Sequence, residues 1–418
     1  MTASSRWWTV ALLFGAILVN YLDRGALSVA TVPIMREFSI TPAAMGMLLS
    51  AFFWAYTLLQ IPAGWLVDRY GLKWTYTAGF LLWSLASAAV GLAGSVGQVF
   101  ALRLLLGIGE SVAAPASLAY IRGAFHRDEQ GLPTAVYLSG MMLGPALGAL
   151  LGGLLLERVG WRLLFLLTGL GGGAWLLPWL LAAPARPHIP EWRQGGPEPV
   201  RAAWGAVLRS GAFWGITIGS FCYSYAWYFY LSWLPGYFVL QHRLSYSDMG
   251  VATGLPLLGT AVMGLLAGRA ADRVVRRMGR PIAVRRNFVC AGLGGAGVAL
   301  LWLRGAGTAA AATLVLVVAL AGIGIASANF WALTQALAPS AIAGRVFGYQ
   351  NTVGNLAGIF APILTGILVG RERSFGTAIL VAALALMMAA AFLSLVRERH
   401  VSLLELARRP DTAPSQPR

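Results

Sequence analysis

Apolar residues fill this chain in runs of about twenty or more, separated by short polar segments. Twelve runs can be marked, near 8–30, 43–66, 74–94, 96–121, 132–156, 161–183, 211–236, 246–268, 286–303, 309–336, 344–370 and 376–396. A helix needs roughly 20 apolar residues to cross the hydrocarbon core of a bilayer, so the pattern predicts an all-α membrane protein with twelve transmembrane helices. Several runs are long and rich in glycine, which predicts tilt or local breaks. The longest polar stretch, 184–210, is rich in Pro, Gly and Arg and reads as a cytoplasmic linker with room for a short interfacial helix near Trp204. It separates an N-terminal six-helix bundle, 1–183, from a C-terminal one, 211–400, and leaves 401–418 as a cytoplasmic tail.

The two halves echo each other. Gly64-x-x-x-Asp68-Arg69 follows the second run and Gly268-x-x-x-Asp272-Arg273 follows the eighth, 204 positions later. Six spans per copy at one offset predict parallel repeats related by an axis along the membrane normal, with the substrate site between them near mid-membrane.

Composition and charge agree with this reading. Of the 418 residues 58% are hydrophobic and 11% charged, with a net charge of +16. If the amino terminus is cytoplasmic, 22 of the 31 basic residues fall in cytoplasmic segments and seven in outer loops. That asymmetry is the positive-inside bias; it accounts for the basic balance without nucleic acid and puts both termini in the cytoplasm. The two cysteines, Cys222 and Cys290, both lie in apolar runs and imply no disulfide framework. The four histidines all fall in loops, so no metal site is expected. The first span carries Asp23 and Arg24 and is preceded only by Arg6, which does not suit a cleavable signal peptide. No phosphate-binding G-x-x-x-x-G-K-[ST] loop is present. Neither a cofactor nor an enzyme activity is expected.

The remaining two basic residues are the informative ones. Asp23 and Arg24 interrupt the first span, and Arg103 and Glu110 the fourth. A charge in a bilayer costs several kcal/mol and is rarely retained without a partner, a watery cavity or a function. At 1.5 Å per residue, Asp23, Arg24 and Arg103 fall at about one depth, with Glu110 roughly 10 Å deeper on the same face as Arg103. Equal depth predicts an Asp23–Arg103 ion pair and leaves Arg24 to hold a carboxylate through two parallel hydrogen bonds. The four charges sum to zero, and a proton on Glu110 makes the site +1. Proton and anion binding then favour each other, as symport requires. A static network bracing the first bundle is the competing structural reading.

With these residues in place, the chain resembles a major facilitator superfamily transporter over essentially its whole length. The matching motifs are Gly64, Asp68, Arg69, Gly71 and Lys73 after span two, Arg103-x-x-x-Gly107-x-Gly109 in span four, and Gly140-x-x-x-Gly144-Pro145-x-x-Gly148 in span five. Asn20-Tyr21-Leu22-Asp23-Arg24, Arg103 with Glu110, and the run Tyr228 to Pro235 are similar to the anion:cation symporter branch, which includes carriers of sugar acids and sialin-like carriers. The resemblance implies Asp23 and Glu110 for protons and Arg24 for the substrate carboxylate; on the depth argument Arg103 completes the charge network.

Further substrate contacts are expected from Tyr56 and Gln60 on span two, Tyr223 and Trp227 (in a stripe with Tyr230) on span seven, and Asn355 on span eleven. Packing is the alternative for each. The glycine row in span five reads as close helix packing. Asp68, Arg69, Asp272 and Arg273 read as latches for gating, and Glu157, Arg158 and Arg162 as a span end. Met141-Met142 stands where sugar-acid carriers of the branch tend to place an amide, which leaves less hydroxylated anions open. The expected function is proton-coupled import of an organic anion, foremost a sugar acid, by a monomer in the bacterial cytoplasmic membrane; its partners are the anion, protons and the lipid bilayer. Proton-coupled efflux of amphiphiles and a transport-like sensor are the rival readings.

Overall fold

The computed structural model describes residues 3–126, 129–183, 208–337 and 343–396. The expected interfacial helix near Trp204 and the tail 401–418 lie outside these residues, as does the linker except for its last three positions. The described residues are almost entirely helical. In chain order they form α1 (Ala3–Val29), α2 (Thr31–Glu37), α3 (Pro42–Tyr70), α4 (Leu72–Val90), α5 (Val96–Glu110), α6 (Ala113–Ala124), α7 (Gly131–Gly173) and α8 (Leu176–Ala182). The second half has α9 (Gly211–His242), α10 (Tyr246–Met278), α11 (Pro281–Leu303), α12 (Ala309–Leu337), α13 (Ala343–Glu372) and α14 (Gly376–Ser394).

Local chemistry sets several boundaries. Thr41 caps α3 by accepting from the Ala44 N–H, with Pro42 at the first helical position. Ser95 caps α5 and Ser245 caps α10 in the same way. Pro115 has no N–H to give and its ring crowds the carbonyl four residues back, so the fourth span breaks at Ser111–Val112, directly after Glu110.

Among the described residues, nine helical stretches are long and apolar enough to cross a membrane. One of them, Gly131–Ala182, has 52 residues, or about 78 Å of helix, against a hydrocarbon core of about 30 Å. Gly160, at φ 74° and ψ 170°, breaks it into two crossings. Helices α4 and α9 complete the twelve; their 19 and 32 residues suit a crossing, while tyrosine and tryptophan lower their hydropathy. The architecture is the expected pair of six-helix bundles.

The bundles are pseudo-symmetric in detail. Ser28 in α1 donates to the carbonyl of Ser232 in α9 at 2.7 Å, and these residues are 204 positions apart, the offset of the sequence repeat. A residue touching its own repeat mate marks the pseudo-twofold axis. Away from that axis the same relation pairs whole interfaces. A Cβ on Gly46 would run into the Pro362 carbonyl, and one on Gly366 into that of Pro42, so α3 and α13 meet backbone to backbone. Gly250 and Gly153 make the equivalent approach between α10 and α7. Gly250 follows Gly46 by 204 positions, whereas Gly366 follows Gly153 by 213. The second half therefore carries nine extra residues between its copy of the Asp-Arg motif and its later spans. Both seals lie in the half of the molecule remote from the amino terminus, here the far face.

Candidate functional site

A cavity lies between the bundles, enclosing about 660 Å³ with its mouth included and lined from α1, α3, α5, α7, α9 and α10. Aromatic and aliphatic side chains form most of its wall, and its charged lining residues are Arg24 and Arg103. The two close helix approaches lie toward the far face, about one turn beyond the lining residues Leu49, Ala149 and Thr253.

Arg24 projects from α1 into a cage of rings. Its guanidinium carbon is 4.4 Å from the Phe52 ring centre, 4.5 Å from Tyr56 and 4.9 Å from Tyr21. Stacking of this kind suits a planar guanidinium better than an ammonium. Its Nε donates to Glu110 Oε2 at 2.6 Å, in an ion pair with Arg24 13% exposed and Glu110 fully buried. Arg103 lies on the same aromatic wall, 5.7 Å from the Phe52 ring centre, and its Nε and Nη1 have no hydrogen-bond partner. Asp23 Oδ1 accepts from the Ser87 hydroxyl at 3.0 Å. Asp23 Oδ2, Glu110 Oε1 and both ends of the buried Asn20 amide lack partners of good geometry.

This corrects the pairing expected from sequence. Asp23 and Arg103 are within electrostatic reach of each other, yet the ion pair joins Arg24 to Glu110. Side chains lean toward the amino end of their own helix. On antiparallel α1 and α5, that lean carries the Arg24 head down and the Glu110 carboxylate up. Two long side chains thereby close the roughly 10 Å estimated from backbone rise. Asp23, shorter and one residue away on the helix, faces α4 instead.

The other candidate residues divide into three groups. Tyr56 belongs to the cage. Gln60 accepts from the Asn351 amide at 3.0 Å, and Asn355 accepts from the Tyr228 hydroxyl at 2.7 Å. The first of these bonds joins the bundles; the second lies within the C-terminal one, beside the cavity that Tyr228 lines. Tyr223 packs on Phe330, and Trp227 is half-buried against the core; neither lines this cavity. The four residues expected to act as latches lie in a separate region at the amino-terminal face. Asp272 pairs with Arg285 at 2.8 Å, Asp68 is within electrostatic reach of Arg122, and Arg69 stacks on Trp65 and Tyr70. Arg273 is exposed.

The charges are confined to one bundle. At the repeat mates of Asp23 and Arg24 stand Trp227 and Tyr228, 204 positions on; at those of Arg103 and Glu110 stand Leu316 and Ile323, 213 positions on. The fold alone does not require charge at these places.

Some lining positions and inter-bundle contacts escaped the sequence reading. Tyr228 and Thr253 line the cavity; Tyr228 stands out only as the first member of the aromatic run, and in an ordinary apolar span nothing distinguishes Thr253. Glu157, read as a span end, accepts from the backbone N–H groups of Tyr246 and Ser247 at 2.7 and 3.3 Å. A carboxylate on the N-terminal bundle thus caps the positive end of α10 in the other bundle, and only the tertiary contact reveals it. The glycine row in span five packs against α1, with Gly140 on Ile17, Gly144 on Tyr21 and Gly148 on Leu22.

Comparison with known proteins gives the following. A family model described as Major Facilitator Superfamily matches residues 13–362. The "Probable L-galactonate transporter" of Escherichia coli (strain K12) is 30% identical over 382 residues, covering 88% of this chain and 84% of that protein. The "D-galactonate transporter" of Escherichia coli O6:H1 is 30% identical over 416 residues, covering 94% and 95%. A crystal structure of a bacterial homolog to the human lysosomal transporter Spinster, inward-facing and unoccupied, has a TM-score of 0.75 at 18% identity, covering 97% of this chain and 98% of that one.

Proposed function

The chain belongs to the Major Facilitator Superfamily, and we propose that it carries a sugar acid together with protons across the cytoplasmic membrane by alternating access. It is a membrane transporter of organic anions and not an enzyme, as its relatives are. Proton coupling and the sugar-acid class are the finer reading.

The Arg24–Glu110 ion pair at the cavity wall is the observation that carries this reading. A carboxylate arriving in the cavity needs the guanidinium that Glu110 holds. A proton on Glu110 removes the competing charge, frees the fork of Arg24, and turns the balanced cluster to +1. Anion and proton then bind cooperatively, and the linkage is reciprocal. Asp23, one residue from Arg24 and bonded on only one oxygen, is the second proton site in this scheme. Tyr56 orients Arg24. Gln60, Tyr223, Trp227 and Asn355 engage substrate as the bundles rearrange.

The bundles, 1–183 and 211–400, rock about the axis marked by Ser28 and Ser232, joined by the linker 184–210. The glycine seals and the Glu157 cap hold the far face shut in the present state. Asp68, Arg69, Asp272 and Arg273 latch the opposite face when it closes. That face is cytoplasmic by its basic residues, and the monomer is the transporting unit. The test is Glu110→Gln in proteoliposomes with labelled D-galactonate. Proton-driven accumulation disappears while counterflow persists; normal accumulation would show that Glu110 does not couple.

A further inference from the structure

Among the described residues, three that line the cavity are buried and carry a polar side-chain atom with no hydrogen-bond partner: Arg103, Tyr230 and Thr253. Arg103 belongs to the N-terminal bundle and shares the Phe52 wall with Arg24. Tyr230 and Thr253 belong to the C-terminal bundle, on α9 and α10, and are 0% and 2% exposed. The cavity is therefore polarised, with both lining guanidiniums on one bundle and, on the other, two lining residues whose buried hydroxyls have no partner.

Neither hydroxyl is explained by the fold. Thr253 does not donate to the carbonyl four residues back, as Thr31 does to Leu27 and Thr260 to Pro256; the buried Thr57, Thr217, Thr334 and Thr365 also lack a partner, but of the five only Thr253 lines the cavity. The repeat mates of Tyr230 and Thr253, 204 positions earlier, are Ala26 and Leu49. The architecture accepts aliphatic residues at both places. A buried hydroxyl without a partner costs free energy, so its retention at a cavity wall calls for a ligand group that satisfies it.

We infer that Tyr230 and Thr253 form a subsite for the hydroxyl end of the substrate remote from its carboxylate, and that this subsite selects monocarboxylate polyols over sugar diacids. The inference rests on the sugar-acid reading and narrows it. With the carboxylate at Arg24 and Arg103, an aldonate offers its terminal hydroxyl to two groups that both donate and accept. A diacid such as galactarate puts a second carboxylate there, where no lining cation faces it, and desolvating that charge is costly.

The test uses purified protein in liposomes, with D-galactonate counterflow competed by D-galactonate, galactarate and the 6-deoxy analogue of galactonate. Wild type is expected to favour galactonate over the deoxy acid by roughly tenfold, the size of one hydrogen bond, and over galactarate by more. Thr253→Val and Tyr230→Phe, which keep the shape of the wall, each bring the deoxy acid closer to galactonate. Equal competition by galactarate and galactonate in wild type overturns the diacid rejection. An unchanged galactonate-to-deoxy ratio in both variants overturns the subsite while leaving the sugar-acid reading intact. Absence of any aldonate counterflow in wild type overturns both.

Discussion

Replacing Arg24 by Lys keeps the charge of the cluster and removes its geometry. In the native site the guanidinium makes a 2.6 Å bond to Glu110 and lies 4.4 to 4.9 Å from three ring centres. An ammonium retains one charge-assisted bond but cannot lie flat among rings or form two parallel bonds to a carboxylate. The lost second bond is worth about 1.5–3 kcal/mol, and the weaker ring contact about 0.5–1 kcal/mol. Together they come to about 2–4 kcal/mol, or roughly 30- to 1,000-fold in affinity. The fold should survive, because Glu110 keeps a cationic partner and no buried charge is stranded. Galactonate binding to detergent-purified protein, followed by ligand-induced thermal shift and by counterflow, measures the effect. A Lys variant binding within about threefold of wild type would show that the fork of Arg24 does not receive the anion.

Two further outcomes follow from the far face. Arg162 and then Trp161 hold the Glu37 carboxylate below its usual range by hydrogen bonds, at 2.6 Å from each. A depressed carboxylate stabilises the folded state above its unfolded value and loses that contribution as pH falls through the folded one. The thermal-stability gap between wild type and Glu37→Gln should be fully open at neutral pH and close as the pH drops below about 4; a gap that widens in acid contradicts the assignment. Gly366→Val should prevent the α3–α13 approach, since the added carbon meets the Pro42 carbonyl. Maleimide labelling of a Leu49→Cys reporter from the far side should then rise while transport falls, and unchanged labelling would show that this contact is not the seal.

How much of this was legible beforehand depends on what kind of information each feature needs. Span positions follow from apolar run length, because a bilayer demands about twenty such residues whatever surrounds them. The sharp break at Gly160 and the cap from Glu157 to α10 do not, because each depends on how one element meets another. The charged residues stood out at once, since intramembrane charge is costly. Their pairing did not, because backbone depth ignores side chains that lean in opposite directions on antiparallel helices. Tyr230 was visible only as one ring in a stripe and Thr253 not at all. An uncommitted hydroxyl acquires meaning once its carbonyl neighbours and the cavity are known. The offset of 204 was readable from the Asp-Arg motifs, whereas the later offset of 213 emerged from which glycines meet across the interface.

The central claim is that anion and Glu110 compete for Arg24, so that binding the anion draws in a proton. Calorimetric titration of D-galactonate into purified protein, in buffers of differing ionisation enthalpy, measures that proton directly. Uptake approaching one proton per anion in wild type, abolished in Glu110→Gln, is the predicted result. Equally strong binding with no proton uptake in wild type would contradict it.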